Sequence, residues 1–228
     1  MAPGTPAGPM RVRVWDLPTR LFHWLLAGAV AAALISARLY GDTALRLHFL
    51  AGYGVLVLVL FRLLWGFAGP RYARFAQFVR GPGALLRYLR APPPAPAGHN
   101  PLGALSVIAL LALCAAQAGT GLFASDEVAS EGPWARFVSD AAVDRLSALH
   151  DRGQWLLLAL LALHLAALAY YRLARRRKLV AAMITGDLAL TDCADAPAAA
   201  RDDRAMRLRA VLLLAWSAAL VGYLVNLA

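Results

Sequence analysis

Apolar residues come in blocks of about twenty along this chain, and the polar residues gather between them. Five blocks stand out, at residues 21–39, 47–67, 101–123, 154–171 and 210–227. Each has the length an α-helix needs to cross the hydrocarbon core of a bilayer, about 17 to 25 residues. Together they use most of the chain, so the pattern predicts an all-α integral membrane protein without a sizeable soluble domain. Residues 71–101 form a basic segment with interleaved aromatics, followed by a proline-rich hinge. There Tyr72, Phe75, Phe78 and Val79 fit one helical face, which suits a helix lying on the membrane surface; a solvated connector fits equally. Asn100 and Pro101 make a good start for the third span, as N-cap and first helical residue. Residues 132–150 read as a short helix capping the bundle. Residues 179–209 read as a weakly patterned, charged connector to a fifth helix, which is expected to serve packing or partner binding.

Composition agrees, with 61% hydrophobic residues among 228 and a mean hydropathy of +0.58. The net charge of +10 raises nucleic acid as a partner, but the cations are grouped by side. Arg11, Arg13 and Arg20 precede the first span; Arg71, Arg74, Arg80, Arg87 and Arg90 lie between the second and third; Arg172, Arg175, Arg176, Arg177 and Lys178 follow the fourth. All fall on one side if the spans alternate. The loop between the third and fourth spans instead holds Asp126, Glu127, Glu131, Asp140 and Asp144 against Arg136 and Arg145. The positive-inside rule then predicts a multi-pass membrane protein with a cytoplasmic N-terminus and Ala228 outside. The charge is a topology signal and argues against nucleic-acid binding. A basic start before an apolar run also resembles a signal peptide, but the run is long enough to span, and an uncleaved first span is expected. Cys114 and Cys193 stand at different depths, which argues against a disulfide, and the chain has no C-x-x-C-H for covalent haem.

Ionisable residues inside a bilayer are costly and usually functional. Four of the five histidines lie in or at the ends of spans: His23, His48, His150 and His164. One alone reads as an interhelical hydrogen bonder, whereas four at matched depths need a shared cause. His150 and His164 lie fourteen residues apart, roughly 21 Å along a helix and within about 40° of one face. One helix thus offers a ligand at each of two depths, with His48 facing His150 near the outer surface and His23 facing His164 nearer the inner one. Two facing imidazoles suit a six-coordinate, low-spin haem, for which the porphyrin supplies the four equatorial nitrogens. Gly52 and Gly153 share a face with His48 and His150, where a missing side chain lets a flat ring approach. Arg20 could pair with an inner propionate, and Arg46 or Arg152 with an outer one; snorkelling topology arginines fit these positions equally. Four ligands split between two depths suit one tetrahedral zinc poorly. His99 falls in the cytoplasmic loop, too far away to be axial.

Several stretches resemble one family: "VWDLPTRLFHW" at the first span, "RLLWGF" ending the second, "GHNPLGA" and "TGLF" bounding the third, and "LHDRGQW" with "LHL" in the fourth. The chain is similar to the bacterial cytochrome b561 family, which also contains the b-type cytochrome subunits of membrane nickel-iron hydrogenases. The resemblance covers residues 11–190 and implies a four-helix transmembrane bundle binding two haem b groups, with His23, His48, His150 and His164 at the family's axial positions. It divides the chain into a dihaem domain, 1–190, and a connector with a fifth span, 191–228. Family members exchange electrons between the quinone pool and a partner such as a hydrogenase, a c-type cytochrome or superoxide. The resemblance thus implies an electron conduit between quinone and a redox partner in the bacterial inner membrane, an enzyme only if it binds quinone itself. The other class left open is a non-redox anchor or assembly subunit. A homo-oligomer is compatible with either.

Overall fold

The computed structural model describes residues 10–91, 98–126, 130–190 and 197–227; the proline-rich hinge after Ala91, Glu127, Cys193 and Ala228 lie outside the described residues. In chain order the elements are strand β1 (Met10–Arg13), helices α1 (Leu17–Ser36), α2 (Asp42–Ala68), α3 (Phe75–Phe78), α4 (Pro82–Arg90), α5 (Pro101–Gly121), α6 (Asp140–Leu173) and α7 (Leu179–Thr185), strand β2 (Asp187–Leu190) and helix α8 (Arg204–Asn226). Helices α1, α2, α5, α6 and α8 are long and apolar enough to cross a membrane. The chain is thus a mostly helical membrane protein.

Helix starts follow local chemistry. Asp16 caps α1, its carboxylate accepting from the Thr19 amide at 3.0 Å and the Thr19 hydroxyl at 2.7 Å. Pro18 sits in the first turn, where its missing N–H leaves no bond unmade. Asn100 caps α5 by accepting from the Gly103 amide at 2.7 Å, with Pro101 at the first helical position as expected.

Three departures from the sequence reading concern the segments between spans. The short helix expected over residues 132–150 is not separate: from Asp140 onward it runs without a break into the fourth span, making α6 34 residues long. Before it stands only a 3-10 turn at Ala135–Phe137. The aromatics of residues 72–79 do not make one surface helix. Phe75 and Phe78 form the single turn of α3, with Phe78 buried and Val79 exposed, and α4 is the helix without a buried residue. Finally, the connector after α6 is structured. Helix α7 leads into β2, which pairs antiparallel with β1 in the register Arg11↔Ala189 and Val12↔Leu188. Val12, Val14, Trp15, Ala182 and Leu188 form a small apolar cluster beneath this ribbon. Arg13 pairs with Asp187 at 2.6 Å and Asp202 at 3.1 Å, tying both sides of the ribbon to the start of α8.

Helix α2 is central, packing on α1, α5 and α8, while α6 packs closely on only one other long helix, α5, and stands off from α1 and α2. The main core, with Phe22, Val55, Val59, Phe61, Trp65 and Leu111, lies around α2. In α6 only Leu157 is fully buried, and Leu163 and Leu165 are left uncovered. In a bilayer such a surface meets acyl chains.

Candidate functional site

Across the stand-off between α6 and the α1–α2 pair, two of the four span histidines come into ring contact. At one end, His48 of α2 faces His150 of α6, with ring centroids 6.0 Å apart and planes at 89°. Each ring is held from behind. His48 Nδ1 lies 3.0 Å from the Ala33 carbonyl of α1, and His150 Nδ1 lies 2.9 Å from the Gln117 carbonyl of α5. A carbonyl can only accept, so each Nδ1 carries the proton and each Nε2 keeps a free lone pair. Metal-bound histidines use this second-shell arrangement.

Gln117 holds His150 a second time, its side-chain amide donating to the His150 carbonyl at 3.0 Å. This geometry depends on two glycines. A Cβ on Gly121 would come within 2.9 Å of the His150 ring, and one on Gly153 would overlap the Gln117 side chain. Gly153 therefore serves the hold on His150, whereas a Cβ on Gly52 would meet nothing within 4 Å and would point into open space.

A cavity of about 440 Å³ opens beside this pair, lined by both histidines, by Val30, Leu34, Val55, Cys114 and Leu157, and at its mouth by Arg38, Asp151 and Gln154. Arg38 donates to Gln154 Oε1 at 2.6 Å and stacks 5.3 Å over the Trp155 ring. Arg46 and Arg152, which the sequence offered equally as outer propionate partners or as snorkelling topology arginines, are exposed and do not line the cavity. Arg38 does line it.

At the other end, His23 of α1 and His164 of α6 lie within electrostatic reach of each other. His23 Nδ1 is buried without a hydrogen-bond partner, a state that costs about 1–3 kcal/mol when nothing compensates. Arg20 donates to the Ile184 carbonyl at 2.5 Å, and its buried Nε has no partner.

His99 lies in the loop just before α5. Its ring packs 4.8 Å from Trp15 and 4.6 Å from Phe78, and its Nδ1 is shielded and unpaired. Burial, and next the Arg62 guanidinium nearby, drive its pKa down to about 3, so it is neutral. Arg62 is itself buried and lies 4.8 Å over the Phe75 ring. Fully buried Asp16 supplies opposite charge, and burial pushes its carboxyl pKa up even with the Thr19 bonds opposing. Trp65 donates to Asp16 and to Thr19, each at 3.2 Å, binding the end of α2 to the start of α1.

The donor set fits haem. His48 and His150 stand on different helices with ring centroids 6.0 Å apart, and these two imidazoles would hold the group between them. Both rings line the cavity, and the His23 ring carries a buried nitrogen without a hydrogen-bond partner. Among the described residues no three His, Cys, Asp or Glu side chains converge as a metal site. Sequence reasoning missed Gln117, Gly121 and Arg38. An amide inside an apolar span was the available signal for Gln117; Arg38 falls at the end of the first apolar block, 21–39, where an arginine looks like an ordinary interface residue.

A model of the family described as prokaryotic cytochrome b561 matches residues 14–186. A probable Ni/Fe-hydrogenase B-type cytochrome subunit of Azotobacter chroococcum is 24% identical, the match covering 77% of this chain and 87% of that protein. A protein of the same description from Bradyrhizobium diazoefficiens is 22% identical, over 81% of this chain and 89% of the relative. No solved structure matches.

Proposed function

The chain belongs to the prokaryotic cytochrome b561 family, and on that premise we propose that it is a dihaem b-type cytochrome carrying electrons through the membrane between quinone and a partner redox protein. The observation that carries this reading is the His48–His150 ring pair between α2 and α6, with His164 on the same helix as His150 and close enough to His23 of α1 to interact electrostatically. His48 and His150 would hold one haem b, and His23 and His164 the other. When bound, haem b would supply reversible one-electron chemistry.

The chain's own residues set the conditions for that chemistry. The Ala33 and Gln117 carbonyls fix the tautomers of His48 and His150, which raises ligand basicity. Val30, Leu34, Val55 and Leu157 make an apolar wall that limits water and so tunes potential. Arg38 in the cavity wall and Arg20, three residues before His23, would balance carboxylates of the two groups. The helix α6 keeps the two pairs at a constant separation because both ligands belong to one unbroken helix.

The arginines that follow α2 and the basic ends of α4 and α6 face the cytoplasm in this reading, and the acidic loop before α6 faces out. The relatives are described as probable Ni/Fe-hydrogenase B-type cytochrome subunits, which favours a hydrogenase as the partner. The test is a dithionite-reduced minus oxidised spectrum of the purified chain with a pyridine haemochrome count. Two haems per chain are expected, with loss of one in His150→Ala and of one in His164→Ala. A colourless protein, or haem content indifferent to both substitutions, ends the cytochrome reading and leaves the anchor role.

A further inference from the structure

The turn between α6 and α7 carries Arg175, Arg176, Arg177 and Lys178 in succession, with Arg172 in the last turn of α6. Arg176 sits in left-handed backbone, φ 51°, which is unfavourable for a residue with a side chain. The chain reverses there, and α7 returns against α6. The reversal leaves a hollow of about 260 Å³ lined by Leu168, Arg172, Arg177, Lys178, Leu179 and Val180, with no carboxylate in its wall. Acidic groups are near at hand but engaged elsewhere: Asp187 and Asp202 pair with Arg13, Asp202 also with Arg207, and Asp203 with Arg201. Among the described residues, the side chains of Arg172, Arg177 and Lys178 form no hydrogen bond or ion pair.

Three uncompensated cations over an apolar floor have the chemistry of an amphiphilic anion's site. Leu165, Leu168 and Arg172 follow one face of α6, and Leu165 is 63% exposed, so an apolar track descends from the cations along a membrane-crossing helix. A free anion would have no use for that track. We propose that the hollow binds the phosphate of an anionic phospholipid, with its acyl chains along Leu168 and Leu165. Basic pockets at the membrane boundary favour anionic headgroups by about fivefold per cation.

The proposal requires only that α6 crosses the membrane, so it stands or falls apart from haem content. The full chain, purified into micelles containing equal amounts of dioleoyl phosphatidylglycerol and dioleoyl phosphatidylcholine, is examined by native mass spectrometry. Retention of phosphatidylglycerol is expected, falling on the order of a hundredfold when Arg172→Gln, Arg177→Gln and Lys178→Gln are combined. Arg87→Gln with Arg90→Gln, on α4, is expected to leave retention unchanged. Should the triple variant misfold, Arg172→Gln and Lys178→Gln singly carry the test, each losing about fivefold. Equal retention of the two lipids, equal loss in the α4 control, or displacement of the lipid by inorganic phosphate at matching concentration overturns the proposal.

Discussion

Gln117 touches His150 through both its backbone carbonyl and its side-chain amide, and it keeps that place because Gly153 has no side chain. Gly153→Ala is therefore expected to dislodge the amide and lower stability by about 1–3 kcal/mol through overpacking, along with the haem content of the His48–His150 pair. Gly52→Ala makes the contrasting case. Its new methyl meets nothing within 4 Å of protein, so thermal stability of the haem-free chain should match the parent while haem retention falls. Thermal melts with and without haem, beside a haemochrome count, check both; a haem-free Gly52→Ala that melts early contradicts the open space, and full retention contradicts a ring lying there. The histidines were legible in the sequence because an imidazole stands out in an apolar block. Gly52 and Gly153 were also legible as positions on the histidine face, but their different duties were not, since only packing shows what a missing Cβ makes room for.

At the scale of elements, the junction of β1, α1, α2, α3 and α5 depends on one neutral imidazole. His99 lies between Trp15 and Phe78 beside Arg62. In an unfolded chain it takes a proton near pH 6.5, whereas in place its pKa is about 3. Above pH 6.5 both states are neutral and His99 adds no pH dependence. As the pH falls from 6.5 toward 3, the unfolded state gains the proton first, so stability declines by about 1.4 kcal/mol per pH unit from this residue. Melting curves of wild type and His99→Phe between pH 7.5 and 5 should diverge with that slope; parallel curves would mean the ring is protonated in place. Helix boundaries were legible where capping is local, as at Asn100 and Pro101. The unbroken α6 was not, because mixed acidic and apolar residues before His150 continue a helix as readily as they start a separate one.

Over the whole molecule, α6 stands apart from α1 and α2, and charge divides between the ends of the bundle. Asp140 and Asp144, exposed on the first turns of α6, offer a negative approach to a basic partner such as a c-type cytochrome. Reversing both, Asp140→Lys with Asp144→Lys, is expected to slow electron transfer from a basic cytochrome about tenfold at low ionic strength and to matter little at high salt. Stopped-flow rates across a salt series read this directly; equal rates for both proteins at low salt would remove the loop as a docking surface. Five-span architecture was legible at this scale because a bilayer imposes a length and a hydropathy that each segment meets by itself. The engagement of α8 with α2, through a helix whose first turns carry Arg204, Arg207 and Arg209, was not legible from its apolar block.

Properties that each stretch of chain expresses alone were determined by sequence: the spans, their charged flanks, the depth of each histidine along its helix, and the motifs of the family. Tertiary structure alone decided the matters that join distant residues. It set which carbonyl orients each imidazole, put Arg38 instead of Arg46 or Arg152 at the cavity mouth, buried His99, and paired residues 10–13 with 187–190. The physical reason is that hydropathy and helix period act within one segment. Hydrogen bonds, cavities and strand register depend on which segments the packed bundle brings within a few ångströms of each other.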